Sequence, residues 1–172
     1  MLRFAARIVA AAIAALLLST AHARAQAGSA KEAAKDLYAW YVGTNCGNWL
    51  SKWPETQEFV DLGLYKGLST LIKERNKFDY NVFDVDIFTN IQWCGSSYRV
   101  GTPVTLDNGD VSVPVAVGIE GMPGSAGATR YVHVRVIVRQ DDDGWRVYDL
   151  AGQDGNGSLR AWIRETLAKL PD

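Results

Sequence analysis

The chain has 172 residues, of which 48% are hydrophobic and 22% charged, and its formal net charge is −1. That length suits one domain and crowds two, and the composition is that of a soluble globular protein. The near-neutral balance excludes the basic field that a nucleic-acid-binding protein presents.

The N-terminus reads as an address rather than as part of the fold. Arg3 and Arg7 precede an apolar run from Ile8 to Leu18, and Ala23-Arg24-Ala25 supplies a small-x-small cleavage signal. This is the layout of a secretory signal peptide over residues 1–25, with Gln26 as the expected mature start. The apolar run is about half the length that a permanent membrane span needs. Removing residues 1–25 takes away three arginines and no acid, which leaves 15 basic and 19 acidic residues, a formal charge of −4. The expected location is therefore periplasmic or secreted, with no stable membrane anchor after cleavage and no nucleic-acid partner. Cys46 and Cys94 both lie in the mature chain. In an oxidising compartment an even pair reads as a structural disulfide, and the C-x-x-C spacing of a redox site is absent.

The first helix is expected around "AGSAKEAAKDLYAWYVG", where Ala33, Leu37, Trp40 and Tyr41 share a face, Ser29 is the candidate cap and Gly43 the stop. A turn-rich connection follows. From about Thr56 a second helical pattern carries the stripe Leu64, Leu68, Leu71 and Ile72. Gly63 and Gly67 weaken it by about 1 kcal/mol each against alanine, so a break is expected there. The stretch "FDVDIFTNIQWCG", residues 83–95, is irregular and dense in polar and aromatic side chains.

After Gly95 the hydrophobic period changes from 3.6 to 2. A strand with a break at Gly101 to Pro103 leads into Asn108-Gly109, a strong hairpin signal. The next strand places Val111, Val113, Val115, Val117 and Ile119 on one face. Pro114 within it predicts an edge strand or a bulge. A glycine-rich loop separates it from a strand with Val132, Val134, Val136 and Val138 on one face and His133 and Arg135 on the other. "DDDG" turns the chain into the last strand, "WRVYDLAG", and a C-terminal helix capped by Ser158 buries Leu159, Trp162, Ile163 and Leu167. Helices, then an antiparallel meander of about four strands with one apolar face, then a helix define an α+β domain over residues 26–172.

Chemistry-bearing motifs are few. His133 is the one histidine of the mature chain, and on the polar face of a strand it reads as a surface residue. Asp154, Asn156, Ser158 and Glu165 have the spacing of a calcium loop, but Leu159 stands where that loop needs glycine, so no metal is expected. No cofactor fingerprint is present. Asp84 and Asp86, two residues apart, read as turn-makers or caps, or as a carboxylate base. Tyr38, Trp40 and Tyr41 read as core, or as the lining of a pocket between helix and sheet.

"LYAWYVG", "FDVDIFTNIQW", and "GWRVYDLAG" followed by "SLRAWI" resemble a family of small exported bacterial proteins, domain of unknown function 3828, of the nuclear-transport-factor-2-like superfamily. The resemblance implies a cone, a strongly curved antiparallel sheet with helices packed into its concave side. It places the family's polar block on Asp86, Phe88, Thr89 and Gln92. The sequence departs from that pattern at Ile87, where proline is expected, and at Trp93, where an acid is expected.

Three functions follow. The first is an exported binding or interaction domain without catalysis, taking a small molecule, an envelope protein or a second copy of the chain, with Trp40, Tyr41, Asp86, Gln92 and Trp93 as contact residues. The second is a ketosteroid-isomerase-like enzyme, with Asp84 or Asp86 as base and Tyr38 or Tyr41 as proton donor. The third is an inhibitor or immunity protein against an envelope-targeting toxin or hydrolase.

Overall fold

A computed structural model describes residues 30–45, 48–121, 128–152 and 157–170. The expected signal segment, the cap at Ser29, Cys46, most of the glycine-rich loop, and Asp154 and Asn156 lie outside those residues. No helix among the described residues is long and apolar enough to cross a membrane.

Alternation of valines with polar residues produces the sheet. Strands β1 (Ser97–Val100), β2 (Val104–Thr105), β3 (Val111–Ile119), β4 (Arg130–Asp141) and β5 (Gly144–Gly152) form a curved, open antiparallel sheet in the order β1-β3-β4-β5, with β2 also paired to β3. Val111, Val113, Val115, Val117 and Ile119 of β3 are at most 2% exposed, and Val136 and Val138 of β4 are fully buried. His133 lies on the opposite, exposed face. With a side-chain period of 2, this assigns one face of β3 and β4 to the core. The turn at Asn108-Gly109 joins β2 to β3, and Gly109 has φ +86°, as a hairpin with this sequence requires.

Pro114 does not mark an edge. β3 is an inner strand, paired with β1 and β2 on one side and β4 on the other. The missing amide is accommodated by the neighbour instead. Gly101 donates its N–H to the Pro114 carbonyl at 2.8 Å, and the β1–β2 strand is interrupted at this point. A Cβ at Gly101 would lie 2.8 Å from Pro114 Cγ, so the proline ring requires glycine opposite it. The bulge falls between Ile137 and Val138, where β4 pairs with β5.

The concave face holds the helices. Helix α1 (residues 30–43) contributes Ala30, Ala33, Ala34, Leu37, Tyr38 and Tyr41 to the same core as the sheet valines. Trp40, expected on this face, is half-buried at its margin. A short helix α2 (Trp49–Lys52) continues into a 3₁₀ turn, Trp53–Glu58. Helix α3 (Leu62–Glu74) then runs unbroken through Gly63 and Gly67, with Leu64, Leu68 and Leu71 buried. The break in the second helical pattern comes earlier, at residues 59–61. Val60 bridges to Val147 of β5, and Val147 N–H donates to the Phe59 carbonyl while Asp61 N–H donates to that of Val147, both at 2.9 Å. Capping the outer edge of β5 outweighs helical continuity, and Asp61 restarts the helix by accepting from the Gly63 and Leu64 amides. Helix α4 (Leu159–Leu167) packs on α3 and begins at Ser158, whose hydroxyl accepts from Ala161 N–H at 3.1 Å.

At the hairpin end of the sheet, Asp110 is clamped by Arg139 through Nε–Oδ1 (2.7 Å) and Nη2–Oδ2 (2.8 Å), and the same guanidinium stacks 3.5 Å from the Tyr148 ring. The Arg139 hydrogen bonds hold the Asp110 carboxyl below its ordinary value. The contribution of Asp110 to stability is therefore complete above the unfolded-state value of about 3.9 and is lost as pH falls through the lower folded-state value. The urea midpoint of Asp110→Asn should lie below that of wild type at pH 7, and the gap should close by about pH 2. Val134→Asp should lower the melting temperature by more than about 10 °C, because it places an unpaired charge in the core. His133→Ala should shift it by no more than about 2 °C. A larger loss for His133→Ala would reverse the assigned register.

Candidate functional site

The crossing from helices to sheet, residues 83–95, collects most of the polar side chains singled out in the sequence. Its backbone folds back on itself: Asp86 N–H donates to the Ile91 carbonyl at 2.9 Å, and Asn90 N–H to the Asp86 carbonyl at 2.7 Å. Asn90 closes the turn at φ +57°, a conformation that asparagine tolerates better than most residues. Asp86 organises this turn locally. Its Oδ1 accepts the amides of Phe88 (2.8 Å) and Thr89 (3.2 Å), the bonding pattern that makes short acids turn-formers. Thr89, buried beside it, donates its hydroxyl to the Trp93 carbonyl at 2.9 Å.

Two tyrosines of α1 fasten the turn to the core. Tyr38 donates its hydroxyl to the Phe88 carbonyl at 2.8 Å. Tyr41 donates to Asp86 Oδ2 at 3.1 Å and accepts the Gly95 amide at 2.8 Å. Gly95 must be glycine for this contact, since a Cβ there would lie 2.4 Å from Val117 Cγ1 and 3.0 Å from Tyr41 Cε1. Phe88, 1% exposed, fills the space beneath, with its ring centroid 4.6 Å from Tyr41, 5.4 Å from Trp49 and 5.8 Å from Trp40.

Burial pushes the Asp86 carboxyl above its ordinary value, against the opposing pull of the Phe88 and Thr89 amides and the Tyr41 hydroxyl. Burial, and then the nearby Asp86 charge, raise the Tyr41 hydroxyl far above its usual range, and burial does the same to Tyr38. Both phenols hold their protons and aim them at fixed protein acceptors.

Tyr38, Tyr41 and Asp86 thus come together in one buried cluster, and Trp40 touches it through Phe88. Trp40 is also tied outward, its indole N–H donating to Glu55 at 3.1 Å. Asp84, Gln92 and Trp93 lie on the outer side of the crossing. Asp84 accepts from Gln92 Nε2 at 3.4 Å, both side chains being exposed, and Trp93 is 38% exposed. Asp84 and Asp86 face different environments and share no site. Among the described residues no cysteine is free. The expected Cys46–Cys94 pairing involves a residue outside the described set.

Gly95 went unrecognised in the sequence, where it stood only as a boundary. Its signal was its place between a cysteine and the first strand, but the partner that makes it necessary is 54 residues away on α1. The resemblance singles out Phe88 and Thr89, but their tertiary partners, Tyr38 at the Phe88 carbonyl and the rings around Phe88, leave no mark in the local sequence.

No family model matches the chain, and no curated protein matches it. A solved structure is similar: a chain of the type VI native effector–immunity complex Tae3–Tai3 from Ralstonia pickettii aligns with a TM-score of 0.50 and 21% identity, over 71% of this chain and 93% of that one. At this identity the likeness is one of fold. That architecture, helices against a curved open antiparallel sheet with a C-terminal helix, is the class to which the present chain belongs.

Asp86→Ala strands two amides and one buried hydroxyl. Each unsatisfied group costs about 1–3 kcal/mol before relaxation, so the melting temperature should fall by roughly 3–10 °C. Asp84→Ala should melt within about 2 °C of wild type, since it loses one long surface hydrogen bond. An Asp86→Ala protein melting at or above wild type would make this carboxylate a functional rather than a structural group.

Proposed function

We propose that the protein is an exported interaction domain that binds a protein partner at the mouth of its cone, and that it acts as an immunity protein against an envelope-acting effector. The observation that carries this reading is the two-sidedness of residues 83–93. The inner side is fastened by Asp86, Tyr41 and Tyr38, and the outer side presents Val85 and Trp93, each 38% exposed. Apolar side chains held on a fixed backbone lose little conformational entropy on docking, which favours a protein partner. The groups that an enzyme would need free are engaged by the fold itself. The likeness to a chain from an effector–immunity complex supports the same class of partner. The signal-peptide layout of residues 1–25 supports periplasmic delivery, where such an effector acts. The resemblance to the exported domain of unknown function 3828 family supports that compartment too.

The test is protection. Cells producing a periplasm-directed type VI effector from the same bacterium should regain growth when they also make the full precursor. They should not regain it with residues 26–172 alone, which lack the export signal. Trp93→Ala and Val85→Glu should weaken the purified complex by about tenfold or more while leaving the melting temperature near that of wild type. Failure of the precursor to protect against every effector of that bacterium, with no complex by size-exclusion chromatography, overturns the reading. In protein purified from the periplasm, Cys46 and Cys94 should resist alkylation until a reductant is added, and closing a loop of this length should stabilise the fold by about 4 kcal/mol.

A further inference from the structure

The concave face of the sheet is filled along most of its length but not where β4 begins and β5 ends. Val136 pairs with Leu150, and both point inward; the next inward pair is Val134 with Gly152. Glycine at that position leaves space that a side chain would otherwise occupy. The result is a cavity of about 170 Å³ between the sheet, residues 85–90 and helix α4. Val134 and Leu150, each 4% exposed, form its floor, and Ile87, Leu159 and Trp162 stand around it. Val85 and Asn90 are its exposed rim.

No charged side chain is among the described residues that line it. The nearby carboxylates are turned to other partners. Asp86 is engaged by the Phe88 and Thr89 amides and by Tyr41, and Asp149 accepts from the Ser158 hydroxyl and the Arg160 amide. The Ser158 hydroxyl, although it borders the space, is used both as donor to Asp149 and as acceptor from Ala161 N–H. A polar group inside would therefore meet Asn90 at the rim or backbone at the end of β5. An ion would be desolvated without compensation.

We propose that this cavity is a binding site for a small neutral molecule with the bulk of a single ring and at most one hydrogen-bonding group. The size argument is direct: dry apolar cavities of about 150 Å³ accept benzene. Neither Tyr41 nor Asp86 lines the space, so the site is separate from the buried cluster; it shares Val85 at its rim with the proposed partner surface, while its floor and walls, Val134, Leu150, Ile87, Leu159 and Trp162, are residues that the partner reading does not use.

The experiment is an amide and indole NMR titration of the folded protein with p-cresol, which is neutral at pH 7, beside benzoate, which is a similar ring carrying a charge. Saturable shifts are expected at Val134, Leu150, Ala151 and the Trp162 indole, with benzoate at least about tenfold weaker. Gly152→Leu should fill the space and weaken p-cresol by at least about tenfold. Should that variant fail to fold, Ile87→Phe, which enlarges a wall residue, serves the same purpose. The absence of saturable shifts with p-cresol overturns the proposal. So does equal binding of benzoate, or unchanged binding in a folded variant with the cavity filled.

Discussion

The hydroxyl of Tyr41 is the point on which the arrangement of this protein turns. It donates to Asp86 and accepts from Gly95, so a single oxygen on α1 holds both the crossing segment and the entry to β1. Neither of those segments has a helix or strand ladder of its own at that point, and buried backbone groups without partners are costly. The close approach needs a residue without a side chain at position 95 and a flat ring at position 41. Phe88 can then be buried beneath, and Tyr38 takes its carbonyl. Helix, crossing and sheet are coupled through these bonds, because moving any one of them strands a polar group in the others.

Two carboxylates show how burial and pairing divide the electrostatic work. Asp110 is buried but faces a bidentate guanidinium, and its ionised form is favoured. Asp86 is met by amides and hydroxyls rather than by a cation, and burial prevails, so its ionised form is disfavoured. The two therefore pull the stability of the fold in opposite directions across the acidic range: acid weakens the Asp110 clamp, while protonation relieves the Asp86 carboxylate of its desolvation. Neutral donors can fix the geometry of a buried carboxylate without fully compensating its charge.

Much of the architecture was legible in the sequence because burial writes itself as period. The valines of β3 and β4, the stripe of α3, the cap at Ser158 and the turn at Asn108-Gly109 all lie where alternation and turn chemistry put them. At Pro114 the structure departs from the sequence expectation for a definite reason. The rule that proline avoids inner strands assumes an uninterrupted neighbour, and here Gly101 and the break after it supply the exception. The discontinuity before α3 was placed at the glycines, because the competing demand, an uncovered edge of β5, is nearly 90 residues away in the chain. Of the site residues, Asp86 could be assigned to the amides near Thr89 from its i+2 and i+3 neighbours alone. Its bond to Tyr41, which ties the crossing to α1, is tertiary and leaves no local trace.

A shared fold says little about what a protein acts on, and a likeness at 21% identity carries only the fold. What is particular to this chain lies at the mouth of the cone. There the polar side chains divide: Asp86 and Thr89 turn inward to satisfy the backbone, while Asp84, Asn90 and Gln92 stay exposed. The apolar ones divide too: Phe88 is buried and Phe83, Ile87 and Ile91 half-buried, while Val85 and Trp93 are each 38% exposed. Val85 and Trp93 thus stay partly exposed on a segment fastened by five hydrogen bonds that involve Tyr38, Tyr41, Thr89 and the Asp86 carboxylate. Apolar side chains on a segment fastened in this way lose less conformational entropy on contact than they would on a free loop, and that is the physical basis of the proposed interaction surface.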